Sequence, residues 1–340
     1  MAPKSQLDEP SYGSDKDGLV WAYLFTSEIA GRAIDTQGAA EWLATSTSEK
    51  KDGFLWLHFN LSNSACVRWL RQHVELPDAF YESLDEAASS TRLEREDDAL
   101  VAVLHDVLFA FEFDASAVAT VSLVAAPHLL VSARGRPLRS IDRLRVSVKA
   151  GSVFRSPAEL FGQLLRDQAE VLVEIARKSS ERVDREEDLV LSRGRASGRT
   201  ELGSLRRMLV RLQRLLAPEP AALFRLLSRP PRWLTEDDVR DLRQAAEEFS
   251  AAVSDSVALG ERIRLVQEEI AALTNERTSK SLFVLTLVTT AALPFNVVGA
   301  LFGMNVGDIP LAAHPHGFWS IVAFVAVFTA AVGWAFARRR

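Results

Sequence analysis

The sequence predicts a membrane protein of mixed α+β and α class: an N-terminal α/β cytoplasmic domain, a long helical stalk and two C-terminal transmembrane helices. Three observations carry that prediction. Residues 281–302 and 318–337 are apolar runs of 22 and 20 residues without a formal charge; at about 1.5 Å per residue, each crosses a bilayer core as a helix. Apolar residues recur on a heptad-like period over 242–274, in a stretch with no proline between Pro231 and Pro294, as in one long helix. Before residue 150, short strand-like runs alternate with helical stretches, the pattern of an α/β layer.

Residues 1–17 form a polar tail without the apolar core of a secretory signal, so insertion is expected to rely on the C-terminal spans. The cytoplasmic domain, 18–150, has strand-like runs at 20–25, 54–59, 99–104, 119–125 and 129–132 and helical stretches at 63–74 and 77–88. Residues 151–234 read as helical, rich in Glu, Arg and Leu, and interrupted only by the Gly- and Ser-containing stretch 193–199, a loop. The stalk, 235–302, starts with Thr235 as cap and Glu236, Asp237 and Asp238 in the first turn. Within it, Leu242, Phe249, Ser256, Ile263 and Ile270 recur every seven residues, each followed four later by Ala246, Val253, Gly260, Gln267 or Thr274. This broken heptad suggests packing against copies of itself, although Gly260 and Gln267 disfavour a tight two-stranded zipper. Unbroken, the helix spans about 100 Å and would carry movements of the cytoplasmic domain into the membrane. It continues into the first span at 281–302. An outer, periplasmic loop at 303–317 follows, then the second span at 318–337, with Trp319 and Trp334 near its ends, and a basic tail at 338–340.

Arg277 and Lys280 precede the first span, Arg338, Arg339 and Arg340 follow the second, and the loop between has no Lys or Arg. The positive-inside rule then puts both termini in the cytoplasm and the loop outside, in a cell inner (plasma) membrane. Whole-chain averages, 48% hydrophobic and 25% charged, hide the spans. From Arg277 onward there are five cations and one acid, which leaves residues 1–276 with 35 Lys and Arg against 44 Asp and Glu, a net of −9. That balance argues against nucleic acid as a partner and favours cations.

Cys66, the only cysteine, cannot form an internal disulfide and has no cysteine neighbour at zinc-site spacing; a packed or surface thiol is the expectation. His58, His73, His105 and His128 are expected to be packed or surface histidines. No nucleotide loop, nucleophile motif or clustered metal ligands point to an enzyme, and no tightly bound cofactor is expected.

Two spans cannot enclose a hydrated path, so transport would need several chains, each lending one helix to a central pore. The first span has the better face: Ser279, Leu282, Thr286, Thr289, Leu293, Asn296, Ala300 and Gly303 fall along one stripe at spacings of three or four. Asn296 is assigned to the pore. The hydroxyls of Thr286 and Thr289 either line it or bond back to their own helix. Leu282, Leu285 and Leu293 could form apolar constrictions. The second span, with only Ser320 and Thr329 as polar interruptions, is expected to face lipid.

Gly303-Met304-Asn305 closing a proline-containing span, a short outer loop, a second span and a basic end resemble the CorA superfamily of divalent-cation transporters. The longer string from Gly303 to Pro310, with His314-Pro315-His316-Gly317-Phe318-Trp319, is similar to its zinc-transporting ZntB-like branch. So are Thr91-Arg92-Leu93-Glu94 and the 132–139 segment Ser-Ala-Arg-Gly-Arg-Pro-Leu-Arg. One departure is Asp308, where that branch usually has glycine. The resemblance implies a homopentameric funnel, a partnership of the chain with itself and with membrane lipid, carrying Zn²⁺ or, alternatively, Mg²⁺ or Co²⁺.

An Asn305 ring, with the free carbonyls of Gly303 and Met304 at the helix end, would offer neutral oxygens to a hydrated divalent ion that must enter and leave quickly. Neutral oxygens do not select among Zn²⁺, Mg²⁺ and Co²⁺. Outside, Asp308 is either an electrostatic attractor, acting over about a Debye length of 8 Å, or a solvated turn acid. His314 and His316 are either a metal or proton site or plain loop histidines. On the cytoplasmic side, Arg277 and Lys280 are either a gating ring, offset by Glu276, or lipid-phosphate anchors. Three functions follow: a zinc transporter with possible proton coupling, a Mg²⁺ or Co²⁺ channel gated by cytoplasmic metal, and a non-transporting membrane-anchored scaffold or sensor.

Overall fold

The computed structural model describes residues 13–26, 29–45, 53–84, 90–114, 116–193, 199–304 and 314–338. The chain divides into two compact units, Met1–Val266 and Gln267–Arg340.

The first unit is built on a seven-stranded sheet of β1 (Leu19–Thr26), β2 (Ile29–Ile34), β3 (Gly53–Asn60), β4 (Arg92–Glu96), β5 (Ala99–Val107), β6 (Val118–Ala126) and β7 (Leu129–Arg134), in the order β2-β1-β3-β7-β6-β5-β4. Only β3 and β7 pair in parallel, Leu55 opposite Leu129 through Asn60 opposite Arg134. β3 is buried from Phe54 to Phe59, which explains why it reads as a continuous apolar run: a strand covered on both faces has no polar alternation to show. Its residues Leu55, Leu57 and Phe59 share a core with Trp69 and Leu70 of α2 (Ala65–His73) and Phe80 of α3 (Asp78–Ser83).

Gly18 sits where this core meets the chain's start. Its φ is +89°, and a Cβ there would fall 2.8 Å from the Cβ of Cys66, so the position requires glycine. Cys66 is fully buried, and burial pushes its thiol up to about 12. It is the packed thiol the sequence suggested.

The five expected strands are present. The sequence reading passed over β2, β4 and two helices, α1 (Thr36–Ala44) and α4 (Arg139–Lys149), whereas α7 (Pro218–Leu227) falls within the region read as helical. β2 and β4 are the two edge strands. Their sequences, IAGRAI and RLERE, carry charges and lack the apolar run of an interior strand, as edges commonly do.

Beyond the sheet, α5 (Pro157–Arg193) and α6 (Arg199–Leu216) flank the expected loop, of which 194–198 lie outside the described residues. α4 lies antiparallel on α5, with Arg139 paired to Glu174 at 3.3 Å and Arg143 to both Glu174 and Glu170. The long helix α8 runs from Glu236 to Phe302, 67 residues with Pro294 inside. Its start is a reciprocal capping box: Asp238 N donates to Thr235 Oγ1 at 3.1 Å, and Thr235 N donates to Asp238 Oδ2 at 3.0 Å.

α8 runs alongside α5 in the same direction. Ser156 Oγ donates to Asp238 Oδ1 at 2.7 Å, Leu242 packs at Gly162, and Arg262 reaches Asp184 at 2.8 Å and Glu187 at 2.7 Å. This corrects the heptad reading. Leu242, Phe249, Ser256 and Ile263 are at most 2% exposed within one chain, so this part of the stripe seals the stalk onto its own unit and is not available to other copies. An intrachain helix pair uses the same three-four spacing as a coiled coil, and periodicity alone does not distinguish them.

Candidate functional site

In the second unit the apolar part of α8 is followed by α9 (Gly317–Arg338, 22 residues). Among the described residues one helix, α8, is long and apolar enough to cross a membrane, by a stretch of mean hydropathy 1.9 that is not buried at all. Leu282, Leu293, Phe318 and Trp319 are 58 to 72% exposed. A contiguous apolar surface of this kind belongs against lipid or another protein.

Most of the span is exposed in the single chain. Ser279, Leu282, Thr286, Thr289, Leu293, Asn296 and Ala300 are all exposed, whereas Leu287, Thr290, Ala291, Pro294 and Val298 are half-buried. At about 100° per residue the mean directions of these sets differ by roughly a third of a turn. The half-buried side borders a groove whose walls are Phe295, Val298 and Phe302 of α8 and Ile321, Val322 and buried Val325 of α9. α9 thus covers one side of α8 and leaves the polar stripe open on the other.

The threonines bond back to their own helix. Thr286 Oγ1 donates to Leu282 O at 2.8 Å, and Thr289 Oγ1 to Leu285 O and Thr286 O, both at 3.0 Å. Their hydroxyl oxygens keep lone pairs that can still accept from water. Pro294 has no N–H to offer the Thr290 carbonyl, which loses its helical partner.

At the C-terminal end of α8, Gly303 N donates to Gly299 O at 2.9 Å. A Cβ at Gly303 would stand 2.9 Å from that same carbonyl, so glycine closes the helix without displacing it. Gly303 and Met304 are exposed, and carbonyls past the end of the ladder have no intrahelical donor. Asn305 and Asp308 lie outside the described residues, as does all of 305–313.

His314 and His316 are described. His316 N donates to His314 Nδ1 at 3.3 Å, and the two rings are 6.2 Å apart. That bond occupies one ring nitrogen of His314. Among the described residues no group of three His, Cys, Asp or Glu side chains is placed to hold a metal. Lys280 Nζ pairs with Glu276 Oε1 at 2.7 Å. The bond to Lys280, then its charge and that of Arg277, hold the Glu276 carboxyl below its usual range. Lys280 therefore carries its own acid within the chain.

Of the histidines in the first unit, His58 and His105 are buried and His73 is exposed. His58 is fully buried; Arg134 Nε donates to its Nε2 at 3.0 Å, so its proton sits on Nδ1, 2.8 Å from Ser132 Oγ. Burial, then the charges of Arg134 and Arg145, keep it neutral far below its ordinary range. What the sequence reading missed is a set of buried acids. Asp106 and Glu219 are 4% and 1% exposed, and burial raises them to about 6 and about 7. The available signal was Glu219 itself, an acid between Pro218 and Pro220 at the head of a helix whose one other charge is Arg225.

Comparison with known proteins places the whole chain. A family model described as CorA-like Mg²⁺ transporter protein matches residues 51–339. The divalent cation transporter CmaX of Pseudomonas aeruginosa is 27% identical over 331 residues, 96% of this chain and 97% of that protein. The zinc transport protein ZntB of Pectobacterium atrosepticum is 25% identical over 284 residues, 82% and 85% of the two chains. The solved structure of full-length CmaX superposes with a TM-score of 0.79 at 26% identity, covering 96% of this chain and 98% of that one. The complete CorA magnesium transporter of Methanocaldococcus jannaschii gives 0.73 at 20% identity, over 93% and 97%, a likeness of fold.

Proposed function

Since the chain belongs to the CorA-like Mg²⁺ transporter family, and so to the divalent-cation transporters, we propose that it acts as a homopentamer in the cell inner membrane and passes hydrated Zn²⁺. The observation that carries this reading is the polar stripe of α8, open on the side away from α9 and ending at Gly303-Met304-Asn305. Five such stripes facing inward would line a path with Thr286, Thr289 and Asn296. Asn305 and the Gly303 and Met304 carbonyls would form a neutral mouth, and α9 would face lipid. No formal charge lies between Lys280 and Asp308, which suits an ion that keeps its water and is held weakly enough to leave. Both termini are then cytoplasmic. α9 ends with the Arg338 guanidinium 5.1 Å from the Trp334 ring, a pair suited to the headgroup boundary.

Zinc is favoured by the 303–319 string and by the zinc transport protein among the relatives. The Mg²⁺ or Co²⁺ channel is the second reading, favoured by the family's description and by the fold it shares with a magnesium transporter. The exposed polar stripe disfavours a scaffold that moves no ions.

Flux into proteoliposomes of Zn²⁺, Mg²⁺ and Co²⁺, with and without a pH gradient, separates these readings. We expect Zn²⁺ flux to exceed the other two and to fall at least about tenfold in Asn305→Ala, which removes about 1.4 kcal/mol or more of favourable passage. Equal flux of all three ions with no pH effect would remove the zinc reading. Zinc flux unchanged by Asp308→Asn together with His314→Ala and His316→Ala would remove the outer attractor.

A further inference from the structure

The end of β4 leaves a gap in the sheet that a buried carboxylate fills. β4 starts at Arg92, opposite Val103 of β5. In an antiparallel ladder alternate residues point their N–H and C=O to the same side, so His105, two residues beyond Val103, turns both groups towards the place β4 does not reach. Two side chains from outside the sheet take them. His105 N donates to Glu219 Oε1 of α7 at 2.6 Å, and Gln168 Nε2 of α5 donates to His105 O at 2.8 Å. The next residue, Asp106, accepts from Ser140 N and Ser140 Oγ of α4, both at 2.8 Å, and from Val107 N at 2.8 Å. One dipeptide of β5 thus ties α4, α5 and α7 to the sheet, through groups that are almost wholly buried.

The polar accounting at this joint is one proton short. Glu219 Oε2 and Gln168 Oε1 have no hydrogen-bond partner among the described residues. Both are acceptors when Glu219 is ionised; a proton on Glu219 turns one of them into a donor and removes a buried charge.

Of the neighbours, His105 draws the Glu219 carboxyl back towards its ionised form through its side chain and backbone N–H, but burial outweighs that pull. On β5, the His105 ring nitrogen Nδ1 lies 3.6 Å from Glu219 Oε1, and Asp106 adds a like charge. On β4, which packs against α7, Arg92 is held by Glu82 and Glu94, and Arg95 by Asp98. On α4, Arg139 and Arg143 are held by Glu174 and Glu170; on α5, Asp167 accepts from Gln163. α6 reaches this joint with the Leu215 carbonyl, which Thr91 Oγ1 bonds, and with Leu216.

We propose that Glu219, with Asp106 beside it and His105 beneath it, is a proton-binding site that locks α7 onto the sheet when occupied and loosens it when empty. α7 ends at Leu227 and α8 begins at Glu236, so the lock sits next in sequence to the helix that continues into the apolar span. The site would let proton activity around the first unit regulate transport, and that last step alone rests on the transporter reading.

Physical linkage sets the sign. Burial, with a smaller push from the Asp106 charge, raises Glu219 from 4.5 to about 7 against the pull of its bonds to His105. Opening α7 is therefore hardest below pH 4.5, grows easier by up to about tenfold per pH unit as pH rises towards 7, and is flat above.

The test is hydrogen exchange of the 218–227 amides in the full-length protein in liposomes, corrected for intrinsic exchange, from pH 5 to pH 8, with ion flux measured in parallel. In the wild type the corrected exchange should rise at least about tenfold between pH 5 and pH 7. Glu219→Gln, which keeps an acceptor for His105 N and carries no charge, should hold exchange slow and nearly pH-independent. Asp106→Asn should move the wild-type midpoint to lower pH, because it removes the like charge; this arm serves if Glu219→Gln does not fold. A pH profile in Glu219→Gln that matches the wild type, or a midpoint unmoved in Asp106→Asn, overturns the proposal. Exchange that switches with pH while no ion flux is found leaves the proton site standing and removes only its transport role.

Discussion

Single residues of the first unit show how strongly burial sets chemistry here. Asp106 is charged at a cost, raised from 3.8 to about 6 by burial against the pull of its bonds to Ser140 and Val107. A carboxyl raised in the folded state stabilises the fold fully below its unfolded value, and that contribution is lost as pH rises through its folded one. Relative to Asp106→Asn, the wild type should therefore lose stability between about pH 4 and pH 6. The loss should be on the order of 3 kcal/mol at most, and constant above. Denaturant unfolding of the two proteins across that range checks the sign; a difference that grows as pH falls would contradict it. Gly18 gives a test free of titration. Gly18→Ala meets both a positive φ and the Cys66 side chain, and should cost about 2 kcal/mol, read as a fall of several degrees in the melting temperature.

Elements show where residue patterns decide a structure and where they do not. The half of α8 in the first unit runs along α5, and Phe249 of that half is 1% exposed within one chain. Phe249→Ala should cost about 3–5 kcal/mol in the stability of each chain even where the chains remain assembled. A change in oligomeric state with unchanged chain stability would restore the heptad reading. The other half of α8 obeys a different rule, since its polar positions are exposed. Because the Thr286 hydroxyl already bonds Leu282 O, Thr286→Val should lower ion flux less than about tenfold. Asn296→Leu, which removes a neutral amide from the same stripe, should lower it more; the reverse order would take Asn296 out of the path. Five interior strands were readable because buried strands are runs of apolar residues. β2 and β4 were not, because an edge strand carries the charges that keep it from pairing further. The short α7 merges with its neighbours in a region that reads as helical throughout, and nothing local shows that it holds Glu219, the carboxylate that completes β5.

At the scale of the whole molecule, charge distribution governs placement. The five cations from Arg277 onward precede the first apolar run or follow the second, and the loop between carries, as ionisable residues, only Asp308 and two histidines. A topology with that loop outside predicts that Ala312→Cys is labelled by an impermeant maleimide in intact cells, whereas Arg340→Cys is not. Cys66, buried and pushed up to about 12, should stay unreactive, so the native cysteine need not be removed. Labelling of Arg340→Cys alone would invert the orientation. The sequence by itself determined the two apolar runs, the polar stripe and the Gly303-Met304-Asn305 end, because hydropathy, helical spacing and a contiguous motif are local properties that survive without a fold. Only the tertiary structure decided that the heptad residues from Leu242 to Ile263 are spent within one chain, that α9 covers the side of α8 away from the stripe, and that Glu219 meets His105 and Asp106. Those facts join residues more than 20 to more than 100 positions apart, and burial, which makes each of them matter, exists only once the chain has closed around them.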